Sequence, residues 1–104
     1  MPGTIVMRIH RVRTEVVVAA CDSELIGREL PVGQNGYKVK ISSDFYGEQT
    51  VGAEELVWAL KRATIVNLLG ARVVQLAETE GFVAPGGTGT LGGVPHAEII
   101  TLPE

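Results

Sequence analysis

The sequence predicts an α+β domain: a small, mostly antiparallel or mixed sheet with two to three helices packed mainly on one face, in the order β-β-β-α-α-β. Three observations carry this prediction. Short alternating or wholly apolar runs crowd residues 4–42 and recur near the C-terminus. Between residues 53 and 80 the apolar positions change to helical spacing. Glycine and proline punctuate the joins. A chain of 104 residues fits a single domain spanning 1–104.

Residues 4–13 read as a strand, with Ile5, Met7 and Ile9 on one parity and Arg8 and His10 on the other. Thr14-Glu15 forms a tight connection, so the first two strands should make a hairpin. Residues 15–21 (EVVVAAC) are apolar on both parities, as expected of a central strand covered on both faces. Asp22-Ser23-Glu24 turns the chain, and Leu25-Ile26-Gly27 fits one helical turn ended by glycine. Pro31 and Asn35-Gly36 mark a loop over residues 30–36. Residues 37–42 form the third strand, with Tyr37, Val39 and Ile41 on one face and Lys38 and Lys40 on the other.

A helix over residues 53–63 follows the loop at 44–48. Ala53, Leu56, Val57 and Leu60 make its apolar face. Glu54 and Glu55 begin it and Lys61 and Arg62 end it, which matches the helix dipole. Residues 65–69 and 71–80 continue the helical pattern around Gly70, where a bend is expected, and Gly81 caps the end. Residues 84–93 (APGGTGTLGG) read as a flexible loop and residues 97–102 as the last strand. Leu56, Leu60, Ile65, Leu68, Val74 and Leu76 are expected on the helix side of the core. Val16, Val18, Ile9 and Ile41 are expected on the sheet side.

Composition excludes several classes. The lone Cys21 permits no intramolecular disulfide and suits a reducing compartment. No signal-peptide pattern opens the chain and no apolar run approaches ~18 residues, so cytoplasmic localisation without membrane association is expected. One Cys and two widely separated His make a poor metal set, and no metal or other cofactor is expected. The net charge of -3 disfavours broad phosphate-driven binding but permits a local basic patch.

Four sets of residues carry candidate chemistry. Arg8, His10, Lys38 and Lys40 would form a basic surface if the first and third strands face the same side, with Arg11 and Arg13 extending it; clustered cations of this kind bind phosphates. The competing reading is a solvated sheet face. In Phe45-Tyr46, phenylalanine is expected to plug the core, while an exposed Tyr46 would stack on a base. The Gly92-Gly93 backbone and His96 could contact phosphate or base edges. Cys21 with His10 or His96 would make a thiol–imidazole pair, but an inert buried thiol is expected at the end of so apolar a strand, and no catalytic residue is assigned. Gly86-Gly87-Thr88-Gly89-Thr90 lacks the Lys-Ser or Lys-Thr of a phosphate loop. Asn67 is expected to tie its helix to a neighbouring loop such as the glycine-rich one.

Several segments together resemble the archaeal family known as domain of unknown function 424. They are Asp44-Phe45-Tyr46-Gly47-Glu48, Ala63-Thr64-Ile65-Val66-Asn67-Leu68-Leu69-Gly70, Val73-Val74-Gln75-Leu76-Ala77 and Gly92-Gly93-Val94-Pro95-His96-Ala97. The resemblance implies a small stand-alone cytoplasmic protein that binds RNA in a translation-related role, with no catalytic residue to carry over. The expected function is a non-catalytic module for structured RNA using Arg8, His10, Arg11, Lys38, Lys40, Tyr46, Gly92, Gly93 and His96. The alternative is a protein-interaction module, as a homodimer or accessory subunit, with the apolar helices and glycine loop as interface. The third is a small enzyme using His96 or Cys21.

Overall fold

The structure, a computed structural model, describes residues 3–84 and 86–101. Its strands are β1 (Ile5–Val12), β2 (Glu15–Asp22), β3 (Glu29–Val32), β4 (Tyr37–Lys40), β5 (Thr50–Val51), β6 (Ile65–Leu69), β7 (Gly89–Leu91) and β8 (Val94–Ile100). Its helices are α1 (Ser43–Tyr46), α2 (Ala53–Arg62) and α3 (Ala71–Thr79), with a 3-10 turn at Ser23–Leu25. The class is the one the sequence predicts. Pro85 in the expected loop and Leu102 at the end of the expected last strand lie outside the described residues.

Six strands form one mixed sheet in the order β5-β1-β2-β6-β8-β7, and β3 and β4 form a separate hairpin. β1 and β2 are antiparallel and joined through Arg13-Thr14, with Arg13 at φ 56 in the left-handed region. β2 and β6 run parallel, and the remaining pairs are antiparallel.

Residues 65–69 are therefore a strand and not the start of a helix. The reason is visible in the residues. Ile65-Val66 is β-branched, and the run is apolar on both parities except at Asn67, the signature also carried by β2. Its place between β2 and β8 buries Val66, Leu68 and Leu69 and leaves Ile65 and Asn67 partly exposed. Ile65 and Leu68 accordingly belong to the sheet, not to the helix side of the core.

Two cores result, one on each face. Under α2 and α3 lie Ile5, Val18, Ala20, Val66, Leu68 and Ala97, packed against Leu56, Leu60, Val73 and Val74. On the opposite face Val6, Ala19, Cys21 and Leu69 pack against Leu25, Leu30, Ile41 and Tyr46. Ile41, expected on a sheet face, instead closes the base of the β3–β4 hairpin: Gly27 N–H donates to its carbonyl and its N–H donates to Arg28 O, both at 2.8 Å.

The ends of the two parallel strands meet at α3. Asp22 is only 5% exposed. Its carboxylate accepts from the N–H groups of Arg72 (3.0 Å) and Val73 (2.9 Å), capping the first turn of α3 from fifty residues away. The Arg72 guanidinium then bonds Thr4 O and both carboxylate oxygens of Glu24. Gly70 has φ 123, and a Cβ there would collide with the Asp22 carboxylate. Asp22→Ala should lower stability by roughly 2–3 kcal/mol, since it removes two hydrogen bonds to a charged acceptor. Gly70→Ala should cost about as much through strain and displacement of that carboxylate. Urea denaturation of both variants tests this; a loss under about 0.5 kcal/mol, the scale of a surface change, would show that the cap is dispensable.

Candidate functional site

The alternation in β1 sends Arg8 and His10 to the face away from α2 and α3. Register places Arg8, Ala19, Asn67 and Glu98 in one row across four strands, and His10, Val17, Ile65 and Ile100 in the next. The hairpin and α1 cover only the part of this face nearest Cys21 and Leu69. The row at His10 stays open: Ile100 is 66% exposed, and Val17 and Ile65 are partly so.

α1 borders the open part. Ser42 Oγ accepts from Asp44 N–H and starts the helix. At its end Gly47 crosses β1 so closely that a Cβ would lie 2.7 Å from Met7 O. Two β1 side chains hold α1 in place: Arg8 Nη1 donates to Asp44 O (2.9 Å) and His10 Nε2 to Phe45 O (2.7 Å).

Phe45 does not plug the core as expected; the buried ring is that of Tyr46. Phe45 is 37% exposed and stacks on His10 with ring centroids 5.4 Å apart. Tyr46 is only 6% exposed, and its hydroxyl donates to Asn67 Oδ1 at 2.7 Å. The reason is chemical. Asn67 on a central strand needs a partner, which tyrosine supplies and phenylalanine cannot. Tyr46 cannot stack on a base from there, and Asn67 ties its strand to α1, not to the glycine loop.

The remaining sequence candidates separate. Lys38 and Lys40 lie on the hairpin, paired with Pro31 and Glu29 in a different sheet from Arg8 and His10. Gly92 packs against that hairpin, where a Cβ would meet Pro31 O at 2.8 Å and Leu30 Cβ at 2.9 Å; its backbone approaches protein and not ligand. Gly93 has open space around it. His96 is half-buried in β8, its Nε2 3.8 Å from Glu98 Oε1. Cys21 is fully buried, and burial with Asp22 and Glu24 nearby pushes its thiol up to about 12. That removes the thiolate a nucleophile needs.

A different group of cations comes together. Thr64 N–H donates to Val16 O (2.9 Å), and Val16 N–H donates to Thr64 Oγ1 (2.8 Å). These bonds fasten the end of α2 to the start of β2. Arg11 stands opposite Val16, Arg13 forms the adjoining turn, and Lys61 and Arg62 end α2. All four are exposed, and among the described residues none has a carboxylate partner. Arg62 lies over the Trp58 ring at 4.0 Å. Sequence reading placed Lys61 and Arg62 only as dipole partners; no local signal shows that α2 ends beside the β1–β2 turn.

Residues 10–102 match the family described as protein of unknown function, DUF424. The chain belongs to that family. Its fold is similar to the crystal structure of an uncharacterized conserved protein from Methanopyrus kandleri, at 28% identity over 97% of this chain and 94% of that chain, with a TM-score of 0.83. No curated protein matches it. Three of the segments that carry the family resemblance meet at one place, through Tyr46, Asn67 and the β8 residues Ala97 and His96 opposite Leu68 and Leu69. Among the described residues no helix is long and apolar enough to cross a membrane.

Two outcomes follow for this region. Tyr46→Phe should cost about 1 kcal/mol by removing the hydroxyl bond to Asn67, with most of that loss absent in an Asn67→Ala background. Burial also pushes the Tyr46 phenol up, aided by Cys21 and Glu98. Cys21 and Tyr46 are thus both more easily deprotonated when unfolded. Their contribution is complete below the ordinary thiol value of 9.0 and is lost as pH rises towards about 12 for Cys21. Urea midpoints should fall from about pH 9 upward, each group adding at most about 1.4 kcal/mol per pH unit. Midpoints that hold steady to pH 10.5 would contradict it.

Proposed function

We propose that this DUF424 protein is a non-catalytic RNA-binding module whose contact surface is the pole at the β1–β2 turn. The observation that carries the reading is the cation group Arg11, Arg13, Lys61 and Arg62, which has no carboxylate partner among the described residues and stands at the end of the sheet, on the helix side of its open face. Cations without carboxylate partners are free to replace the counterions of a phosphate chain. On the open face, the exposed Phe45 ring backed by His10 is available for a base to stack on, with Val17, Ile65 and Ile100 as an apolar floor. The arrangement suits a single-stranded or looped segment, whose bases can turn towards a sheet face.

Arg8 and His10 serve this surface by holding α1, and with it Phe45, in place. Arg11 is the expected residue that belongs to it directly. Lys38 and Lys40 stand on the separate hairpin and should matter little.

Fluorescence anisotropy with labelled single-stranded RNA and labelled transfer RNA across a salt series tests the reading. Affinity should fall as salt rises, with a slope of about −0.7 per phosphate contact on single strands. Arg11→Glu with Arg62→Glu should weaken binding by about tenfold or more and flatten that slope, while Lys38→Glu with Lys40→Glu should change it less than about threefold. Phe45→Ala should lose about 1–3 kcal/mol of single-strand affinity. Absence of binding at low salt, or affinity indifferent to the reversal at Arg11 and Arg62, would overturn it.

A further inference from the structure

β5 covers only part of the outer edge of β1. It pairs with Ile5 and Val6, and the Met7 N–H donates to Gln49 O at 3.1 Å. Among the described residues no strand continues the ladder beyond that point. Alternation of an antiparallel strand fixes what remains. Since the Met7 N–H points outward to Gln49, the backbone groups of Ile9 and Arg11 point outward too, and Ile9 borders open space there.

Two adjoining cavities lie along this edge. One, of about 540 Å³, is bordered by Arg8, Asp44, Glu48 and Glu55. The other, of about 400 Å³, lies on the α2 side between Met7, Ile9, Glu54 and the Trp58 ring. Met7, Ile9 and Glu55 border both, so the two form one groove along the strand edge. Trp58 is 51% exposed there. The groove is acidic: Asp44, Glu48, Glu54 and Glu55 border it against one cation among the described residues, Arg8, whose guanidinium is held by Asp44 O.

We infer that this edge accepts an extended segment of a partner protein as an added strand, an apolar residue flanked by basic ones. The backbone of that segment would bond to Ile9 and Arg11. Its residue opposite Ile9 shares the face of Ile9 and enters the slot beside Trp58, so it is apolar. Its neighbours point to the other face, towards Asp44 and Glu48, so they are lysine or arginine. A second copy of the chain is the poorer occupant. Pairing β1 with itself would bring a second set of the same carboxylates against Asp44, Glu48, Glu54 and Glu55, and like charges juxtaposed across an interface are costly. The inference is independent of RNA binding, which uses cations at the pole and not these carboxylates.

The test uses the full chain, labelled for NMR, and a seven-residue peptide with a central valine between two lysines. The expected result is a change in Trp58 fluorescence with slowed hydrogen exchange of the Ile9 and Arg11 amides. Glutamate in place of both lysines, or Glu54→Lys with Glu48→Lys in the protein, should each weaken binding by about tenfold. N-methylation of the valine, which removes its backbone donor without touching the protein, should weaken it comparably. Binding indifferent to the lysines or to N-methylation would overturn the inference, as would no binding at millimolar peptide. Protection of Ile9 and Arg11 without peptide, rising with protein concentration, would assign the edge to a second copy and overturn it too. Peptide N-methylation bears on this proposal alone and the RNA salt series on the other alone, so the two proposals fail separately.

Discussion

The Asp22 carboxylate is the point on which the architecture converges. Parallel strands need a crossover, and β2 reaches β6 only after the hairpin, α1, β5 and α2 have been passed. The two strands end side by side, and the helix leaving β6 begins against the carboxylate at the end of β2. A buried charge is tolerable only when it is hydrogen-bonded and paired. Asp22 meets that condition through two α3 amides, with Arg72 beside it at 3.7 Å. Gly70 is required by both φ and space. Through Arg72 the same cluster reaches Thr4 and Glu24, so strand, turn and helix close together.

This closure gives the molecule two unlike ends. At the Asp22 end the charges answer each other: Arg72 pairs with Glu24, and the guanidinium holds that carboxyl below its ordinary value. At the β1–β2 end the cations face water, and among the described residues none has a carboxylate partner. The covering layer on the second sheet face follows the same division. Leu25, Leu30, Ile41 and Tyr46 seal the part near Cys21 and Leu69, and the layer stops at the Tyr46–Asn67 bond. Beyond it the sheet is open.

β1 is the strand on which both proposed activities depend, because it meets solvent in three ways. Its turn carries the cations, its second face carries the His10–Phe45 stack, and its outer edge carries unpaired backbone beside carboxylates. Exposed strand edges invite pairing, and proteins usually cover or charge them. Here β5 covers the first positions, and Gly47 passes over Met7 and Arg8. Arg11, Arg13, Lys61 and Arg62 gather near the turn, and Asp44, Glu48, Glu54 and Glu55 border the groove. The net charge of -3 sums over both and reveals neither.

The sequence by itself determined the class, the β1–β2 hairpin, the helix at α2, and the glycine that ends α3. Each is set by short-range pattern: alternation, helical spacing, or a residue that tolerates an unusual φ. It also showed Cys21 as an inert thiol, since its apolar neighbours on both parities imply burial. Residues 65–69 were not legible as a strand, because a short doubly apolar run satisfies helix and strand patterns alike, and only pairing with β2 and β8 decided between them. The basic surface was misplaced for a related reason. Alternation tells which residues of one strand share a face, but not which strands share a sheet, and so Lys38 and Lys40 went to a separate hairpin while Lys61 and Arg62 joined Arg11. The order of Phe45 and Tyr46 was decided across the sheet by Asn67, twenty-one residues from the tyrosine it binds, a distance no local pattern spans.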